Sequence, residues 1–322
     1  MAERLGNGSV ELNLGTTDSG VPCILSAAWK ESGRAVFHEA DTGRALDAWA
    51  PADLVPAGPA GAAWRRVEHP VFERAEAACT LNGGLVMTWV VDLAREGSLF
   101  RAHIRLTNDG PAAKAVAWYP VWAAAWDLPG AAHTVRWWKA LSFEPQEQAL
   151  GPGDSVALGS RLHSSDRRES DGVNPYWVVA GDDGARLYCS LDWCGGWQAT
   201  LTGTGPGLAF AIRLPEHETQ LVLEPGESID GPVLTVTATT EPDERASRAT
   251  WMRQRAALQR NLYGGPPPSY PFTYNHWYTT RFNVDGDFLA RQVAEMDPYG
   301  FDFFIIDAGW YEHTGQWTPD PE

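Results

Sequence analysis

The chain is short of cations. Its 322 residues carry 25 Lys and Arg against 41 Asp and Glu, a formal net charge of −16. Nucleic acid and anionic membrane surfaces repel such a chain. No block of basic residues offsets this, so neither is expected as a partner, and a neutral polar partner fits better. Cysteine is scarce as well. Cys23, Cys79, Cys189 and Cys194 do not resemble a disulfide framework, and buried or idle thiols are the expected state. Long apolar runs are missing. The longest, AVAWYPVWAAAW at 115–126, is far below the roughly 20 residues of a spanning helix, and Pro120 interrupts it. The opening MAERLGNGSVELNLG lacks the apolar stretch of a secretory signal. A soluble, cytoplasmic protein is expected. Neither common Gly-rich phosphate loop is present.

Tryptophan, by contrast, is abundant, at 16 residues, and apolar residues make up 44% of the chain. Most of these rings are expected to pack in the core or on sheet faces. Some are candidates for flat platforms that receive sugar rings.

From residue 9 to about 240 the pattern is β. FRAHIRLT, 100–107, alternates: Phe100, Ala102, Ile104 and Leu106 face one way, and Arg101, His103, Arg105 and Thr107 the other. That is the pattern of a half-buried antiparallel strand. Hairpins are expected around Asn82-Gly83-Gly84 and around Asp182-Asp183-Gly184. ETQLVLEPGES and PVLTVTATT supply further strands. Many short strands without a long helix among them predict a large antiparallel sandwich over residues 1–243.

The pattern changes near residue 242. EPDERASRATWMRQRAALQRNL reads as a helix, with Pro and acids at its start and Trp251, Met252, Leu258 and Leu262 on one broad face. Gly264-Gly265 and Pro266-Pro267-Pro268 stop it, so residues 244–269 form a linker. Beyond lie a short aromatic strand, PFTYNHW at 271–277, a helix in DGDFLARQVAEMDPYG with Phe288, Leu289, Val293 and Met296 on one side, and the apolar strand FDFFIID at 301–307. Strand, helix, strand is one βαβ unit. Such a unit cannot bury its faces alone, so residues 270–322 are expected to open a larger α/β domain.

In parallel α/β barrels, function sits at the C-terminal strand ends. Here those ends carry Asn275, His276 and Trp277, then Asp307 and Trp310. Asp307 shares strand parity with Phe303 and Ile305, which places it on the inner side. Asp302 has the other parity. A carboxylate accepts hydrogen bonds from adjacent sugar hydroxyls, and indole faces pack on the ring. A cap on the following loop is the equal alternative for Asp307. His276 and His313 lack the companions of a metal site, so no metal is expected.

The residues carry a family resemblance. IIDAGWY followed by TGQWTPDPE resembles the second barrel strand and loop of glycoside hydrolase family 36, the α-galactosidase (melibiase) family. YNHW resembles its first strand. LDWCGGWQATL resembles its Trp-Ser-Gly-x-Trp segment, and LEPGESIDGPVL its Pro-Gly-Glu strand. These motifs span most of 170–322 and stand in family order. The resemblance implies a mainly β chain: an N-terminal β-supersandwich, a linker helix, then the first βαβ unit of a (β/α)8 barrel. It implies a retaining enzyme acting on terminal α-linked galactosides through two carboxylates about 5 Å apart. Both lie on later barrel strands in the family, so no catalytic residue is expected within this chain and the chain alone is expected to be inactive. The implied partner is an α-galactoside oligosaccharide or glycoconjugate, with homo-oligomers through the sandwich and no cofactor. Asp307, Asn275, Trp277 and Trp310 are the candidate substrate-binding residues. The family often has a second aspartate where this chain has Ala308, which weakens the inference to galactose. The competing readings are a non-catalytic sugar-binding or oligomerisation sandwich, and a calcium-using α-glycosidase like those of family 97.

Overall fold

The computed structural model describes residues 3–16, 22–30, 35–39, 62–81, 84–116, 119–128, 132–139, 144–160, 172–193, 195–205, 207–214, 221–265, 271–313, 315, 318 and 319. Asn82, Gly83, Cys194, Pro266–Pro268 and much of the tail after His313, all part of the sequence reading, lie outside them. The chain divides into two compact units, Met1–Gly264 and Gly265–Glu322.

In the first unit, alternating sequences become two large antiparallel sheets, beside a small one that pairs Lys114–Val116 with Leu221–Leu223. One has eight strands, in the order Glu3–Gly6, Val10–Thr16, Pro22–Trp29, Ala35–Glu39, Tyr119–Asp127, Gly207–Leu214, Trp197–Gly203 and Ser155–Ser160. The other has ten. It runs from Pro145–Ala149 through His133–Lys139, Val173–Gly181, Arg186–Asp192, Val233–Thr239, Leu99–Asn108, Leu85–Ala94 and Phe72–Thr80 to Arg65–Val67, with Ser228–Asp230 also beside Leu99–Asn108. Their inner faces meet in one core. Phe100, Ala102, Ile104 and Leu106 all lie in it, as their alternation predicts. Much of the tryptophan is core. Trp177 of the ten-stranded sheet stacks on Trp197 of the eight-stranded one, with ring centroids 5.8 Å apart. Trp126 meets Phe100 and Phe210 edge-on.

Both expected hairpins pair as read. Phe72–Thr80 pairs with Leu85–Ala94, and Val173–Gly181 with Arg186–Asp192. Gly184 takes φ +87°, a conformation that favours glycine. Cys23, Cys79 and Cys189 are buried. Burial pushes the Cys79 thiol up to about 11 and Cys189 up to about 12. Among the described residues no helix is long and apolar enough to cross a membrane.

Helix α1, Glu244–Tyr263, starts where Asp243 accepts a hydrogen bond from the Ala246 N–H at 2.7 Å, and ends at Gly264 with φ +72°. It packs on the outer face of the ten-stranded sheet through Trp251 and Leu258, as the sequence predicts, but not through Met252 and Leu262. Met252 and Leu262 are exposed, while Ser247 and Leu258 are buried. The sheet face beneath is itself polar and aromatic, so the helix meets it with Ser247, Trp251, Gln254, Arg255 and Leu258. The Ser247 hydroxyl bonds Tyr188 at 2.9 Å, Trp251 stacks on Tyr176 and Tyr188, and Gln254 accepts from the Ser98 N–H. Leu258 packs with Phe72 and Leu99.

In the second unit, Thr273–Asn275 and Phe303–Ile305 pair in parallel, with Asn275 opposite Ile305. Between them run a helical turn, α2 (Trp277–Thr280), helix α3 (Gly286–Met296) and a 3-10 turn. Both strands are shorter than the sequence suggested. The first ends at Asn275 because His276 turns into the αR region and opens α2, so Trp277 is helical rather than extended. On α3, Leu289 is buried as expected but Val293 is 47% exposed. On the second strand, Phe303 and Ile305 are 59% and 44% exposed.

Candidate functional site

The C-terminal ends of the two parallel strands bring Asn275 and Asp307 together. Asn275 Nδ2 donates to Asp307 Oδ2 at 2.7 Å, and the Ala308 N–H donates to Oδ1 at 2.8 Å. The Asn275 side-chain carbonyl accepts the Trp277 N–H at 2.9 Å, which ties the start of α2 to the same point. The Asn275 amide bond, helped by the Ala308 N–H, holds the Asp307 carboxyl below its usual value. A half-exposed, ionised carboxylate thus stands at the strand end, oriented by one donor on each oxygen. Asp307 thus bonds the loop that follows it, as one of its two readings expects, and each carboxylate oxygen keeps a second lone pair.

His276 is a residue whose part the sequence reading missed. It is fully buried, and its Nδ1 accepts the Asp307 N–H at 2.9 Å. Its own N–H donates to the Ile305 carbonyl at 3.2 Å. Nδ1 is therefore the acceptor of this bond, which gives His276 a structural part: it holds the backbone from which Asp307 projects. Its place between Asn275 and Trp277 at a strand end was the available signal. His313 is exposed beside Glu312. Asp302, at the strand start, accepts the Phe272 N–H at 2.7 Å and closes the opposite end of the pair.

The loop after Asp307 is held by glycine. Gly309 has φ +105°, and a Cβ there would meet the Phe282 carbonyl oxygen at 2.6 Å. Phe282 meets Trp277 edge-on, with centroids 4.7 Å apart. Trp277 is therefore built into the site through both Asn275 and Phe282. Trp310 follows Gly309 and lies edge-on to Tyr311.

No protein-family model matches the chain, and no curated protein matches its sequence. Solved structures do match its fold. The galactosidase domain of the α-galactosidase–sucrose kinase AgaSK superposes with a TM-score of 0.66 at 16% identity, over 97% of this chain and 50% of that one. The α-galactosidase of Lactobacillus brevis gives 0.66 at 14%, over 97% and 49%. A variant of the glycoside hydrolase family 36 α-galactosidase AgaA of Geobacillus stearothermophilus, solved with stachyose, gives 0.63 at 15%, over 97% and 50%. The chain spans about half the length of these structures. At such identities the likeness is one of fold: the chain is built like the N-terminal portion of the family 36 α-galactosidases.

Proposed function

We propose that this chain is the N-terminal part of a retaining α-galactosidase-like glycoside hydrolase. In this reading residues 270–322 open a (β/α)8 barrel, further barrel strands cover Phe303 and Ile305, and the sandwich of residues 1–243 is joined to the barrel by the segment 244–269. The substrate is a terminal α-galactoside of an oligosaccharide or glycoconjugate. Asp307 accepts hydrogen bonds from sugar hydroxyls, Asn275 orients it, and Trp277 and Trp310 wall the ring. The nucleophile and the acid/base belong to later strands.

The observation that carries this reading is the Asn275–Asp307 clamp at the C-terminal end of a parallel strand pair, where parallel α/β barrels place their chemistry. The match to solved α-galactosidases over 97% of the chain supports it.

The test is hydrolysis of 4-nitrophenyl α-galactoside by the product of the complete reading frame that contains this chain. Turnover with retention is expected, falling about 100-fold in Asp307→Asn, which replaces one acceptor oxygen and the charge with an N–H donor and so misplaces the sugar hydroxyls. The isolated 322-residue chain is expected to show none. Robust hydrolysis by the isolated chain, or full activity in Asp307→Asn, overturns the assignment.

A further inference from the structure

Arg281 stands in a backbone conformation that suits glycine. Its φ and ψ are +54° and −125°, and among the described residues it alone of the non-glycines has a positive φ. These are the angles of the first central position of a type II′ turn. The turn is Thr280–Asn283, closed by the Asn283 N–H donating to the Thr280 carbonyl at 3.1 Å. Glycine is the usual residue there, because a Cβ at such angles is strained. Glycine would make the turn more easily, so the turn does not account for the arginine. Packing does not account for it either. Arg281 is exposed, and its guanidinium makes no hydrogen bond or ion pair among the described residues. The side chain therefore answers to something other than the fold of its own unit.

The turn is fastened to the candidate site. The Arg281 N–H donates to the Trp277 carbonyl at 3.1 Å, and the Trp277 N–H donates to the Asn275 side chain at 2.9 Å. The next residue, Phe282, places its carbonyl oxygen 2.6 Å from where a Cβ on Gly309 would lie, two positions past Asp307. Its ring meets Trp277 edge-on and is 68% exposed. A free guanidinium and an open aromatic ring thus stand on adjacent residues of one turn, tied to both strand ends that carry the Asn275–Asp307 pair.

We propose that Arg281 is a specificity residue for the sugar next to the terminal galactoside, its guanidinium donating to hydroxyls of that second ring while Phe282 packs on the ring's C–H face. The proposal rests on the function argued above, in which Asp307 holds the terminal sugar. Five N–H donors in a fixed fork suit a pair of adjacent hydroxyls, and an aromatic face suits the ring. The charge of Arg281 is not among those acting on the Asp307 carboxyl, which sets the guanidinium beyond the ring that Asp307 holds.

The test compares raffinose, which carries a second sugar, with 4-nitrophenyl α-galactoside, which does not, using the product of the complete reading frame. Arg281→Gly should lower kcat/KM for raffinose about 10-fold, the size of one charge-assisted hydrogen bond, mostly through KM. For the nitrophenyl substrate the change should stay below about 2-fold. Arg281→Lys, which keeps the charge, should recover part of the raffinose loss. The Tm of Arg281→Gly should equal or exceed that of the unaltered protein, because the strain is relieved. An unchanged kcat/KM for raffinose, an equal loss on both substrates, or a fall in Tm overturns the proposal. The first two deny a contact with the second sugar, and the third makes the guanidinium a prop of the fold. Turnover of neither substrate by the unaltered protein overturns the function beneath the proposal, and the proposal with it.

Discussion

Asn275 and Asp307, thirty-two positions apart, join across two parallel strands through a 2.7 Å hydrogen bond from Nδ2 to Oδ2. The donor sits on the first strand and the acceptor follows the second, so the contact exists only when the strands pair in register, Asn275 opposite Ile305. It fixes the carboxylate's rotamer and its charge together.

Asn275→Ala removes the largest cause of the Asp307 shift. The Asp307 carboxyl should then titrate at a higher pH, which 13C NMR of labelled aspartate reads directly. The sign follows from the donor: it stabilises the ionised form in the folded state, so that stability is present above the unfolded carboxyl pKa and is lost as pH falls through the lower folded value. An unmoved titration would remove Asn275 as the orienting group.

His276→Phe leaves the Asp307 N–H without its acceptor in a partly buried setting. A loss of about 1–3 kcal/mol is expected in urea unfolding. Amide hydrogen exchange at Asp307 should speed up, whereas a purely volumetric role for His276 would leave that amide protected.

His103 is buried, and burial lowers its pKa to about 4, outweighing the opposing pull of Asp92 and Asp230, while Arg101 and Arg74 push it further down. The unfolded chain therefore binds more protons between about pH 4 and 6.5. Stability contributed by the neutral ring should be complete above pH 6.5 and decline as pH falls towards 4. Thermal melts from pH 7 to 4 should be steeper in the unaltered chain than in His103→Gln; equal slopes would reject this origin.

Asp92 is 1% exposed and holds Arg74 through both oxygens. Asp92→Ala leaves two neighbouring guanidiniums, Arg74 and Arg101, without it. A loss of about 3–5 kcal/mol is expected in denaturant unfolding, partly restored in Asp92→Ala/Arg74→Met, where the unpaired charge is also removed.

Gly231→Ala is expected to be severe. A Cβ there would lie 2.2 Å from the Tyr119 ring, whose hydroxyl bonds the Ile104 and Ile229 carbonyls. The ring cannot move without breaking those bonds, so Tm should drop by several degrees, and near-native melting would show that the strand edge yields instead.

The sandwich strands were legible because alternation along a strand reports directly which side meets a core. Phe100, Ala102, Ile104 and Leu106 needed nothing more. The βαβ order was legible from an apolar run after an amphipathic helix, and the position of Asp307 at a strand end followed from it. The helix face was legible in part. Trp251 and Leu258 dock as read. Met252 and Leu262 were assigned inward because apolar residues normally are, yet α1 lies on a sheet face whose own residues are Arg101, Ser190, Thr235 and Thr237, so Ser247, Gln254 and Arg255 complete the contact. Local pattern cannot reveal the polarity of a distant surface. His276 was missed for the same reason, since its partner is a backbone N–H thirty-one positions away. Periodicity and turn residues alone determined the two-part, mainly β architecture and the strand end that carries the candidate site. Only the tertiary structure decided which polar groups meet there, because hydrogen-bond partners are chosen by strand register across the sheet and not by neighbours along the chain.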